Sequence, residues 1–230
     1  MHSFYCREIP EIGCGVHLEH HDEKHLFKTL RGRPGDPVEL LDGIGTVAQA
    51  QITPSRELTV MERVTTPEPP LKVHLFVAPP RRNPMEQMLR QCAEVGVWSI
   101  TPVITERSVA LPPRESAPER WEVILQEGCK QSRNPFLPEI RGAIDFRELL
   151  EVVRGGNTTA FFGAPGAAKA AIPEELAELI WIVGPEGGLS PDEEGGLSGA
   201  GAHPCRIGRW IMRVETAAVC GAALFLQPRL

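Results

Sequence analysis

No C-x-x-C pair occurs in this 230-residue chain, and its six cysteines are scattered. That spacing excludes a zinc ribbon and a disulfide framework, leaving reduced thiols as the simplest account. His20, His21 and His25 cluster without the cysteine or carboxylate spacing of a metal site, so no metal is expected. No apolar run reaches the roughly 18 residues of a membrane span. The first residues, Met1 to Glu8, lack the apolar core of a signal peptide, so a cytoplasmic protein without a membrane partner is expected. Two phosphate-binding signatures are also missing. There is no G-x-G-x-x-G, and Gly43-Ile44-Gly45 and Gly163 to Lys169 fail the spacing of a P-loop. Net positive charge is lacking as well. The formal charge is −6, which weighs against a generic nucleic-acid coat protein but leaves room for a local basic face.

What is present divides in two. Residues 1–66 read as β-rich, with turn signals at Asp36-Pro37, Asp42-Gly43 and Pro54-Ser55. One helix, roughly Asp22 to Leu30, interrupts the strands. It turns Leu26, Phe27 and Leu30 inward and Lys28 and Arg31 outward. Thr65 to Pro70 is proline-rich and stiff, and makes the best domain boundary. Residues 71–230 alternate between strands and helices. Val73–Val77, Val97–Ile104, Ala160–Gly163 and Leu179–Val183 read as strands. Helices are expected from a capping box at Asn83 and Glu86, from Ser116, from Asp145, from Ser190 with Glu193, and over Val214 to Leu226. Alternation of this kind predicts an α/β fold with a mostly parallel sheet covered on both faces.

The last fifty residues hold the sharpest signal. Leu179–Val183 runs straight into Gly184-Pro185-Glu186-Gly187-Gly188, and Pro204–Ile207 runs into Gly208 to Arg213. Each glycine-bearing loop leaves a strand and opens a helix. In open α/β sheets ligands bind beyond the carboxyl ends of the strands, so the chemistry is expected here.

With these motifs in place the chain resembles the 16S ribosomal RNA (uracil-N3)-methyltransferases of the SPOUT superfamily. The likeness runs through His25-Leu26, Leu30-Arg31, the helix Met88 to Val97, Thr105-Glu106-Arg107-Ser108, Arg120-Trp121, Lys130-Gln131-Ser132 and Pro138-Glu139-Ile140. Its most specific parts are Gly184 to Gly188 with Ser190 and Glu193, then Ile207-Gly208, Ile211-Met212-Arg213 and Glu215-Thr216-Ala217. Arg133-Asn134 stands where the family commonly has Gly-Arg.

The resemblance implies a trefoil-knotted methyltransferase domain over residues 71–230 and a small PUA-like RNA-binding β-barrel over residues 1–66. It implies a homodimer that takes S-adenosylmethionine and methylates N3 of a specific uracil in 16S rRNA of the small ribosomal subunit. Gly163, Gly184, Pro185, Gly187, Gly188, Ile207, Gly208, Ile211 and Met212 are the implied cofactor residues. Arg213, Glu186 and Glu215 are the implied catalytic set, with Arg213 on the base or a phosphate and either glutamate as the proton acceptor. Lys28, Arg31, Arg107, Gln131, Ser132 and Arg133 are the implied RNA contacts. Two other readings stay open: a SPOUT enzyme acting on a ribose 2′-hydroxyl or on tRNA, and a non-catalytic RNA-binding protein on the same fold.

Overall fold

A computed structural model describes residues 1–109, 117–169 and 175–227, with only the backbone of residues 117 and 118. The chain forms two compact units. One comprises Met1–Glu68 with Gln126–Leu137, the other Pro69–Leu125 with Pro138–Leu230. The first break falls inside the proline-rich stretch singled out in the sequence.

The first unit is built on β1 (His2–Tyr5), β2 (Gly15–Val16), β3 (Pro37–Leu41), β4 (Thr46–Ile52) and β5 (Leu58–Thr65), in the spatial order β1-β3-β4-β5-β2. Only the β1–β3 pair is parallel. Asp42 makes the β3–β4 turn, its Oδ1 accepting the amides of Ile44 at 2.9 Å and Thr46 at 2.8 Å. Such an Asx turn is the mechanism behind the Asp-Gly signal. The helix of this unit is α1 (His20–Lys24), which widens into a π-helical turn over His25–Thr29. Leu26 is buried against Phe4, Leu40, Ile52 and Val60, and Phe27 and Leu30 pack on the same core. The inward face is as the periodicity predicts, whereas a π turn leaves no periodic signature.

Residues 126–137 join this unit through backbone bonds. Gly45 donates to Pro135 O at 3.0 Å, and Leu137 donates to Gly43 O at 2.8 Å. Lys130 Nζ lies 3.9 Å from Asp22 Oδ1 and Arg133 Nε 3.6 Å from Glu39 Oε2. A reading of the chain as two consecutive segments misses this return.

The second unit is a parallel sheet. Its strands are β6 (Lys72–Val77), β7 (Ser99–Ile104), β8 (Glu139–Ile140), β9 (Ile144–Asp145), β10 (Thr159–Gly163), β11 (Glu178–Val183) and β12 (His203–Cys205). The order is β12-β10-β11-β6-β7-β8, with β9 also on β7. Its helices are α2 (Arg82–Val95), α4 (Phe146–Gly155), α5 (Pro191–Ala200) and α6 (Val214–Leu226), with the first part of α3 (Ala117–Ser132), whose residues from Gln126 belong to the first unit. Strand side chains alternate between two apolar faces. Ile180 and Ile182 pack with Leu149 and Leu197 of α4 and α5. The rings of Trp181 and Phe161 lie 5.4 Å and 5.2 Å from that of Phe225 on α6. Ala218, Ala222 and Phe225 are fully buried, because α6 packs on α2, β6 and β11.

Two helix starts bear on the sequence reading. The expected capping box at Asn83 is absent: α2 begins at Arg82, capped by Arg81 without a side-chain bond. Glu86 is drawn instead to Arg120 Nη2 at 2.9 Å and Arg82 Nε at 3.2 Å. A charged pair of this kind outcompetes a single backbone amide for the carboxylate. The N-cap expected at Ser116 lies outside the described residues.

Candidate active site

Three adjacent parallel strands, β12, β10 and β11, end on one side of the sheet, and their following loops enclose a cavity of about 480 Å³. That volume is within the usual range for a small-molecule or cofactor site. The loop after β10 contributes Gly163 to Pro165, the loop after β11 contributes Gly184 to Leu189, and the chain after β12 contributes Arg206 to Arg213 apart from Arg209. Trp181, Val183, Cys205, Val214 and Ala217 complete the lining. Ala164 N donates to Cys205 O at 2.9 Å, which ties two of the strand ends together.

Local chemistry sets each loop. In the β11 loop, Gly188 N donates to Pro185 O at 2.8 Å, and Gly188 has φ +71°, a left-handed conformation that glycine adopts without strain. Ser190 then caps α5: its Oγ accepts from Glu193 N, while Glu193 Oε2 accepts from Ser190 N at 2.9 Å. A Cβ on Gly184 would stand 2.8 Å from Leu189 Cγ. The absence of a side chain at 184 therefore serves the buried packing of Leu189 rather than only an approach by ligand. After β12, Met212 folds its Cε over Gly208, leaving Trp210 and Ile211 76% and 85% exposed at the cavity rim.

All nine residues expected to hold a cofactor line this cavity: Gly163, Gly184, Pro185, Gly187, Gly188, Ile207, Gly208, Ile211 and Met212. Glu186 and Arg213 line it too, both exposed. Arg213 is the N-cap of α6 and makes no ion pair with Glu186 or Glu215 among the described contacts. Glu215 lies in the first turn of α6 and is not part of the lining.

The expected RNA contacts are more dispersed. Lys28, Arg31, Gln131, Ser132 and Arg133 belong to the first unit and Arg107 to the second. Lys28, Arg31 and Gln131 are exposed. Ser132 Oγ donates back to Gly128 O at 2.9 Å, and Arg133 faces Glu39. Arg107 Nη1 donates to Gly187 O at 3.1 Å. Trp181, Val183, Cys205 and Ala217 also line the cavity but are not among the residues the sequence assigns to the cofactor. Their apolar character reads as core; Trp181 and Val183 are placed by alternation on β11, Cys205 by the end of β12 and Ala217 by the first turn of α6. Burial pushes the Cys205 thiol up to about 11. No group of histidine, cysteine or acidic side chains suited to a metal occurs among the described residues, nor a helix long and apolar enough to cross a membrane.

A family model for an RNA methyltransferase domain matches residues 67–226, which contain every strand end and loop of the cavity. The chain belongs to this RNA methyltransferase family. Relatives in it include the ribosomal RNA small subunit methyltransferase E of Synechocystis, 31% identical over 202 residues that cover 84% of this chain and 66% of that protein. The enzyme of the same name from Aquifex aeolicus is 28% identical across 99% of this chain and 100% of its own. The crystal structure of ribosomal RNA small subunit methyltransferase E from Neisseria gonorrhoeae, bound to S-adenosyl methionine, superposes with a TM-score of 0.89. It is 29% identical and covers 99% of this chain and 98% of that one.

Proposed function

We propose that this protein transfers a methyl group from S-adenosylmethionine to N3 of a uracil in 16S rRNA of the small ribosomal subunit. The observation that carries the proposal is the cavity at the ends of β10, β11 and β12, in a chain that superposes almost end to end on a relative bound to that cofactor. The lining fits the group: glycine-rich backbone supplies amides and carbonyls for the polar ends, and Trp181, Val183, Met212 and Ala217 supply apolar walls. Bound there, S-adenosylmethionine supplies an electrophilic methyl carbon on a sulfonium.

The chain's own residues would then align and deprotonate the base. Holding two reactants in line supplies much of the rate of such a transfer. Arg213, at the cavity edge and with no carboxylate partner among the described residues, would place its guanidinium on the uracil oxygens and stabilise the anion left when N3 loses its proton. Of the two glutamates, Glu186 lines the cavity and is the better placed acceptor for that proton. In this reading Lys28, Arg31, Gln131 and Ser132 contact RNA from a PUA-like barrel. In the same reading the second unit is threaded as a trefoil knot, and Trp210 and Ile211, both exposed, meet a second subunit in a homodimer working in the cytoplasm.

Calorimetry with S-adenosylmethionine tests the site. Ala217→Leu extends a side chain into the cavity from α6, and we expect it to abolish cofactor binding while the fold persists. Wild-type affinity in the folded variant would overturn the assignment.

A further inference from the structure

The β11 loop is held from behind by residues that do not line the cavity. Glu193 is a buried carboxylate, 6% exposed, and its two oxygens serve two different loops. Oε2 accepts the amide of Ser190 at 2.9 Å, and Oε1 accepts the amide of Glu106, in the loop after β7, at 2.8 Å. The β7 loop is itself stiffened. Thr105 N donates to Ser108 Oγ at 2.9 Å, and Ser108 N donates back to Thr105 O at 3.1 Å. From that platform Arg107 reaches across, donating from Nη1 to Gly187 O at 3.1 Å and to Leu189 O at 3.4 Å.

The Gly187–Gly188 peptide is therefore fixed at both ends. Its N–H points to Pro185 O and its C=O to the Arg107 guanidinium. A peptide plane held by opposed bonds cannot flip without breaking one of them, so the loop's other polar groups keep one direction toward the cavity. Bonds from a charged donor or to a charged acceptor are the strong members of such a set.

We propose that Glu193 and Arg107 are positioning residues for the cofactor loop, and that Arg107 acts through Gly187 on cofactor affinity rather than by touching RNA. The proposal rests on the reading of the cavity as the S-adenosylmethionine site. Glutamine at 193 keeps the size but turns one accepting oxygen into a donor that faces an amide N–H. Methionine at 107 keeps the stem that lies along Gly187 and removes the donor. Lysine at 107 keeps one charged donor.

The test measures S-adenosylmethionine affinity by calorimetry, and the KM for each substrate with purified small ribosomal subunits, in wild type, Arg107→Met, Arg107→Lys, Glu193→Gln and Ala217→Leu. We expect Arg107→Met to weaken cofactor affinity about three- to ten-fold, in keeping with the loss of one or two charge-assisted bonds at a partly exposed site. Arg107→Lys should recover part of that loss, and Glu193→Gln should lose ten-fold or more. KM for the ribosomal subunit should stay within two-fold in the Arg107 and Glu193 variants. Arg107 is exposed, so Arg107→Met should fold even where Glu193→Gln does not. A raised KM for the subunit with unchanged cofactor affinity in Arg107→Met would overturn the inference alone. Unchanged cofactor affinity in Ala217→Leu would overturn the cavity reading and the inference with it.

Discussion

The indole of Trp181 lies directly under Gly221 of α6, so close that a Cβ at position 221 would meet the ring edge, with Cζ2 only 2.7 Å away. Trp181 Nε1 also donates to Ala217 O at 3.3 Å, one turn earlier on the helix. The small residues of α6 are therefore a seat for one large ring beneath the cavity. Gly221→Ala, ordinarily favourable in a helix, should here destabilise the protein by about 1–3 kcal/mol through overpacking. Urea unfolding measures it, and a stabilised variant would contradict this packing.

His74 predicts a pH dependence. Its Nδ1 lies 2.7 Å from Ser99 Oγ inside the sheet, while Nε2 is buried without a hydrogen-bond partner among the described residues, 3.7 Å from Glu178 Oε2. Burial pushes its pKa below the ordinary histidine value, against the pull of Glu178, with the charges of Arg141 and Lys72 adding to the lowering and Glu139 opposing it. The unfolded chain takes up this proton near pH 6.5 and the folded protein only at lower pH. The stability from keeping His74 neutral is thus complete above about pH 6.5 and is lost as pH falls toward the depressed value. Between pH 7.5 and 5.5 the wild type should lose more stability than His74→Gln. Equal losses would refute the assignment.

The thiols should separate by burial. Cys14 and Cys220 are exposed, whereas Cys6, Cys92, Cys129 and Cys205 are buried. Burial lifts Cys92 and Cys129 to about 12. Thiolate is the reactive form, so an aromatic disulfide reagent at pH 8 should modify two cysteines quickly and four only on unfolding. More than two fast thiols in the native protein would count against the packing described.

The strands that build the site were legible because parallel strands buried on both faces appear as continuous apolar runs. The observed bounds of β6, β7, β10 and β11 lie within two residues of those expected. The glycine loops announced themselves by following such runs. Other features carry no such mark. The two-residue β8 and β9 are too short for a period, and the π turn at His25–Thr29 breaks the helical one. Glu86 matches the capping pattern and is claimed by two arginines from different helices. Arg107 reads as a free cation until the fold brings Gly187 to it across 80 residues. Arg133 has φ +59°, a left-handed backbone that nothing in the residues around it announces.

Arg31 offers a clean test of the proposed RNA surface. It is exposed and has φ +56°, which glycine adopts without strain, so Arg31→Gly should leave the fold intact. If Arg31 contacts phosphate, binding to the ribosomal subunit should weaken and the slope of log affinity against log salt should fall by about 1. The methylated position should not change, since phosphate contacts position without specifying. An unchanged slope would remove Arg31 from the interface.

The most direct measurement of the central claim is nucleoside analysis of 16S rRNA after incubating small ribosomal subunits lacking the modification with the protein and methyl-labelled S-adenosylmethionine. The account predicts label in N3-methyluridine alone, with Arg213→Ala cutting turnover far more than subunit binding. Label in a ribose methyl, or no transfer by a protein that binds the cofactor, would contradict it.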